Sequence, residues 1–107
     1  MKLSVYERLI LLNILPLEGD FLTIKIVRDM RNDLGFSEEE HEALQFEVGE
    51  DDGQVKWRSD ADKPKEIEIG SAGMVVIRSA LAKLNDEKKL TEQHIPIYEK
   101  FVLSGEV

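Results

Sequence analysis

Apolar residues recur with helical spacing over residues 4 to 15, where Val5, Tyr6, Leu9, Ile10, Leu12 and Ile14 dominate. Ser4 stands as N-cap with Glu7 three residues on, and Pro16 closes the segment ahead of a turn through Leu17-Glu18-Gly19-Asp20. The same period returns from about Leu22 to Leu34 in Thr23, Ile26, Val27, Met30 and Leu34, with Gly35 at the position that follows a helix. A third, short helix is predicted from Ser37 to about Ala43. Ser37 and Glu40 are in capping-box register, and three leading glutamates suit the positive end of the helix dipole.

The period then changes to two. Leu44, Phe46 and Val48 alternate onto one face, Val55 and Trp57 onto the same face, and Ile67 and Ile69 follow. Glu50-Asp51-Asp52-Gly53 reads as a hairpin turn, since an Asp-Gly pair tolerates positive φ. A longer loop, Ser59 to Pro64, leads to the third run. On the outward face Lys56 and Arg58 would lie between Glu47 and Glu66 or Glu68, so opposite charges support a three-stranded antiparallel meander.

Helical spacing resumes from Ser71 to Asn85 or slightly beyond, with Val75, Val76, Ile77, Ala80, Leu81 and Leu84 as the apolar face. A last helical segment runs between Thr91 and Val102 through Ile97, Tyr98, Phe101 and Val102. Pro96 lacks an N–H, which favours a turn first and the helix after it. The predicted fold is a single α+β domain over 1 to 107: three helices, the meander, then two helices packed on one sheet face. A hairpin directly after the third helix makes the order winged-helix-like. The first helix is apolar enough to need enclosure on most sides, by this chain or by a second copy in a homodimer.

Composition narrows the classes. With 107 residues, 42% hydrophobic and 34% charged, the chain suits one folded domain rather than disorder. No cysteine is present, which excludes disulfides, thiolate catalysis and zinc-thiolate sites and fits a reducing compartment. Residues 9 to 17 resemble a signal-peptide core, but Glu7 and Arg8 stand where the apolar stretch should begin, Asn13 interrupts it, no small-residue cleavage site follows, and it is too short to span a bilayer. The expectation is a cytoplasmic protein without a membrane segment.

Candidate chemistry is sparse. His41-Glu42-Ala43-Leu44-Gln45 falls one histidine short of the zinc-protease motif, because Gln45 is a poor ligand and two imidazoles one turn apart are needed. Neither Glu50-Asp51-Asp52-Gly53 nor Asp60-Ala61-Asp62 has the spaced ligands of a calcium loop. No nucleophile elbow is present, and Gly70-Ser71-Ala72-Gly73 lacks the lysine of a phosphate loop, so it reads as helix capping. The sequence therefore points to no catalytic residues, no metal and no cofactor, and to a protein that is not an enzyme.

Charge says more. The net charge is −8, and residues 37 to 62 hold ten acids against two bases, so the whole excess lies in one central stretch. Two readings follow: a solvated face, or a docking surface for a basic protein partner through Glu38, Glu39, Glu42, Glu50, Asp51 and Asp52. In a stronger form of the second, the acids imitate a nucleic-acid backbone. The alternative is DNA binding through a basic stripe, Lys25, Arg28 and Arg31, at three-residue spacing on the second helix. The plainer reading pairs that stripe with the glutamates of the third helix and with Asp29 and Asp33. Nucleic-acid affinity rests on charge neutralisation, which an adjacent acidic segment opposes. Trp57, the sole tryptophan, alternates with Val55 and is assigned to the core.

The two ends of the chain, KLSVYERLILLNILPLEGDF and KLTEQHIPIYEKFV, resemble those of small proteins encoded by phages and prophages of Gram-positive bacteria. The resemblance carries no activity and no functional residues. It implies only a context, a bacterial cytoplasm, and a size typical of phage accessory or host-modulating factors.

Overall fold

A computed structural model describes residues 1–49 and 55–103. In chain order these form β1 (Lys2–Leu3), α1 (Val5–Ile14), α2 (Phe21–Leu34), α3 (Glu38–Leu44), β2 (Glu47–Val48), β3 (Val55–Lys56), β4 (Lys65–Glu66), α4 (Ser71–Asp86) and α5 (Ile95–Tyr98). A π-helical turn, Glu99–Leu103, continues α5, and 3-10 turns occupy Ser59–Ala61 and Glu92–His94. The expected turn at Glu50-Asp51-Asp52-Gly53 lies outside the described residues.

Helix boundaries follow their caps. Ser4 accepts from the Glu7 N–H while Glu7 accepts from the Ser4 N–H, and Ser37 and Glu40 make the same reciprocal pair at α3. Asp20 caps α2 by accepting the Thr23 N–H at 2.8 Å, so this helix opens on Phe21. That bond holds the Asp20 carboxyl below its ordinary range. Gly35 ends α2 with φ −65°, so no left-handed cap is formed there.

One core joins the helices. Leu11 and Leu15, Val27, Met30 and Leu34 of α2, Met74, Ile77 and Leu81 of α4, and Ile97 and Phe101 pack together, each set at helical spacing. Leu3 and Ile67, beside the β1–β4 ladder, join the same cluster. The first helix is therefore enclosed largely by its own chain, with Ile10 and Leu11 buried. On α4 the buried stripe is Gly73, Met74, Ile77 and Leu81, and Val75, expected on the apolar face, is exposed. Near the C-terminus the 3-10 turn does precede the helix, which opens on Ile95 with Pro96 as its second residue.

The sheet departs from expectation. There is no three-stranded meander among the described residues but two separate antiparallel ladders, β2 with β3 and β1 with β4. The hairpin register places Glu47 opposite Lys56, as the charge pattern requires. Arg58, however, turns back onto Asp60 at 2.8 Å, away from Glu66 and Glu68. The 3-10 turn at Ser59–Ala61 and Pro64 carry the chain away from β3. Residues 65–66 then pair with Lys2 and Leu3, which lets Leu3 and Ile67 reach the core. Val48 and Val55 face each other on the hairpin and remain exposed. Among the described residues, no helix is long and apolar enough to cross a membrane.

Candidate docking surface

The third helix is seven residues long, too short to hold itself together by backbone bonds alone. Three anchors fix it. Ser37 caps it, Leu44 is buried at its far end, and Glu40 reaches the interior. There Glu40 meets Arg8 of α1, whose side chain is only 1% exposed. Arg8 Nη1 donates to Glu40 Oε2 at 2.5 Å, Nη2 to Glu40 Oε1 at 3.3 Å, and Nε to the Leu34 carbonyl at 3.0 Å. Nη2 also donates to the Gly35 carbonyl. The guanidinium carbon lies 3.9 Å from the centre of the Phe36 ring.

This arginine does two jobs for the chain reversal between α2 and α3. It satisfies carbonyls that the end of α2 leaves without helical partners, and it supplies the counter-charge for one glutamate of four. The hydrogen-bonded Arg8 guanidinium holds the Glu40 carboxyl down to about 2, from an ordinary 4.5. Partial burial opposes that shift, and the Ser37 N–H and the charges of Arg8 and Lys65 assist it. Lys65 of β4 approaches Glu40 at 3.7 Å.

The other three glutamates point outward. Glu38, Glu39 and Glu42 are exposed, and among the described residues no ion pair engages them. Leu44 is inside as expected, whereas Ala43, expected inside, is exposed. Glu50, Asp51 and Asp52, assigned to the same surface, lie outside the described residues.

Beside these carboxylates is a chain of aromatic rings. His41 of α3 sits edge-on to Phe36 and Phe46, with centroids 6.1 and 5.5 Å away. Phe36 meets Phe46 at 5.0 Å, and Phe46 meets Trp57 at 6.2 Å. Trp57 is half-buried in this cluster and does not join the main core. Its indole N–H donates to Asp62 Oδ2 at 3.1 Å, and Asp62 Oδ1 accepts the Val5 N–H at 3.2 Å, tying the hairpin exit to the start of α1.

The basic stripe pairs as expected only in part: Arg28 meets Asp29, but among the described residues the stripe engages none of the α3 glutamates. Arg28 lies 3.7 Å from its neighbour Asp29, both well exposed, and Lys25 is exposed. Arg31 is half-buried and lines a groove with Tyr6, Leu9, Val55 and Trp57. Among the described residues no ion pair joins the stripe to α3, because Glu40, the one glutamate turned inward, is held by Arg8 and Lys65. Sequence reasoning missed Arg8 itself. Its signal was position: three residues after Val5 and three before Leu11, it falls inside the buried stripe of α1.

Among the described residues no group of three acidic or imidazole side chains is arranged to hold a metal ion. No family model matches the sequence, no curated protein matches it, and no solved structure matches its fold.

Proposed function

We propose that the chain is a non-enzymatic interaction protein that docks a basic protein partner on the outer face of α3. The observation that carries this is the division of labour among the four glutamates. Glu40 is turned inward onto a buried arginine, and Glu38, Glu39 and Glu42 are held outward together on a helix anchored at both ends. Three neighbouring carboxylates that no ion pair engages among the described residues repel one another, so a helix that keeps them ordered is a preorganised electrostatic target. The half-buried rings of Phe36, Phe46 and Trp57 give the aliphatic stems of arriving lysines or arginines apolar ground. The phage-like chain ends would make the protein an accessory or host-modulating factor, with its partner in a bacterial cytoplasm.

The test begins with partner capture from a bacterial lysate and continues with association kinetics. Replacing Glu38, Glu39 and Glu42 together by glutamine should slow association and flatten its salt dependence while the fold stays unchanged. A captured partner that binds the triple variant as fast as the parent, at low and at high salt, ends the docking reading.

One observation favours a second reading. Lys25 and Arg28 face solvent, clear of the α3 carboxylates, which a winged-helix-like DNA binder using α2 would require. Two outward bases beside an acidic segment neutralise few phosphates, so this reading ranks second. Fluorescence anisotropy with random duplex DNA decides it, since tight, salt-sensitive binding at physiological ionic strength would reverse the ranking.

A further inference from the structure

The two ends of α2 differ in character. Its C-terminal end leads into the acidic α3, and its N-terminal end carries an apolar patch. There Leu17 is 88% exposed, Phe21 84% and Leu22 66%, with Val75 of α4 60% exposed nearby. Beside them a groove of about 620 Å³ runs between the end of α1 and α4, lined by Ile14, Pro16, Val75, Val76, Ala80 and Leu84. Thr23, one residue after Leu22, is on its wall, and Lys83, Glu87 and Lys89 rim it.

We infer that this face is a two-fold self-association surface, in which a second copy of the chain seats its Phe21 in the groove and receives the first copy's Phe21 in return. Three observations favour a second copy over another occupant. The first is area. These four side chains expose on the order of 600 Å², the upper range for a patch on a monomer and most of the ~800 Å² per partner of a standard interface. They stand on a fixed frame, since Asp20 caps the helix that Phe21 opens.

The second observation is shape. A projecting ring and an apolar groove lie side by side on one chain, and a two-fold axis between two copies fills both grooves at once and closes the assembly. A rim with both lysine and glutamate calls for a partner carrying both signs, which a second copy has. The third is charge. The acid excess of residues 37 to 62 begins at the far end of a 14-residue helix, roughly 20 Å away. That is more than twice the Debye length of about 8 Å at physiological salt. Apart from Glu87 of the rim, the acids that come closest here are Glu18 and Asp20, exposed between Leu17 and Phe21, and Lys83 and Lys89 of the groove supply the opposite charge to face them.

Light scattering coupled to size-exclusion chromatography tests this from about 1 to 200 μM, a span that brackets a micromolar dissociation constant. The mass should climb from 12.2 kDa towards twice that value as concentration rises. Phe21→Asp should hold it at 12.2 kDa throughout. Aspartate in the first turn suits the helix dipole and Phe21 is exposed, so the variant keeps its fold, checked by circular dichroism. Val75→Glu, from the other wall of the patch, should do the same, and replacing Glu38, Glu39 and Glu42 by glutamine should leave the transition where it was. A parent that stays at 12.2 kDa at the highest concentration overturns the inference. So does a dimer that survives both patch variants, one that dissolves on raising salt to about 0.5 M, or a mass that grows past two chains.

Discussion

Replacing Arg8 by methionine isolates the clamp between α1 and α3. Methionine keeps much of the aliphatic volume but removes every donor. Exchanging a buried ion pair for apolar side chains is often neutral when both partners go. Here two of the acceptors are the backbone carbonyls of Leu34 and Gly35, which no substitution can remove. Each buried acceptor left without a donor costs about 1–3 kcal/mol. Glu40, with 25% of its side chain exposed, recovers part of its hydration, so its contribution falls at the low end of that range. The expected loss is about 3 kcal/mol, a large share of the 5–15 kcal/mol that holds a domain of this size. In melting temperature that is a fall of roughly 12 °C.

Urea unfolding followed by the emission of Trp57 and by circular dichroism measures it, with the slope m expected unchanged. Arg8→Lys should lie between parent and methionine, because an ammonium cannot make the forked contact to Glu40. In a double-mutant cycle with Glu40→Gln the coupling should be about 1 kcal/mol, since Glu40 recovers part of its hydration and glutamine keeps one acceptor oxygen. A loss under about 0.5 kcal/mol for Arg8→Met, or two substitutions that simply add, would refute the clamp.

Three further outcomes follow from the geometry. Glu40 is held down to about 2 in the folded chain against 4.5 ordinarily, so its contribution is complete above 4.5 and is lost as pH falls toward 2. The stability gap between parent and Glu40→Gln, taken from urea curves at about pH 6 and about pH 3, should accordingly shrink at the lower pH. A Cβ at Gly73 would lie 2.8 Å from Met30 Sδ and 3.0 Å from Ile69 Cγ2. Gly73→Ala should therefore lower stability by about 1 kcal/mol despite alanine's better helix propensity, and a thermal melt that rises instead would show a looser α2–α4 contact. Gly70 begins α4 with φ −68° and ψ 167°, makes no side-chain cap, and has no atom within 4 Å of an added Cβ. Gly70→Ser should add about 0.5–1 kcal/mol, read from the same melts.

The parts of the fold legible in the sequence are those written in neighbouring residues. Ser4 with Glu7 and Ser37 with Glu40 announced two helix starts, and both capping boxes form. The spacing of Val27, Met30 and Leu34 gave the buried face of α2, and Glu47 with Lys56 gave the hairpin register. The failures are long-range. Strands of two residues have no period to read, and the pairing of Lys2 with Glu66 closes across most of the chain. An arginine within an apolar run reads as an interruption, and nothing local to Arg8 names Glu40 as its partner. The candidate surface was thus visible as a charge run, while the partition of its glutamates into one structural and three outward groups was not.

A dimer built on the Phe21 face would carry two acidic helices on the order of 40 Å apart, since each α2 holds its α3 about 20 Å from the shared axis. The two proposals then act on different rates. If the α3 carboxylates draw a basic partner in, their loss should appear in the association rate and its salt dependence. The Phe21 face supplies a second copy of the same site, which gains nothing on first encounter and slows release from a partner that is itself multivalent. Phe21→Asp should then speed dissociation from an immobilised, densely coated partner by roughly 10²-fold or more and leave the association rate near that of the parent. On a sparsely coated surface, where two sites cannot engage together, the same variant should release no faster than the parent. If Phe21→Asp instead slows association on both surfaces, the aromatic ring touches the partner directly, and the apolar end of α2 belongs to the docking site rather than to a second copy.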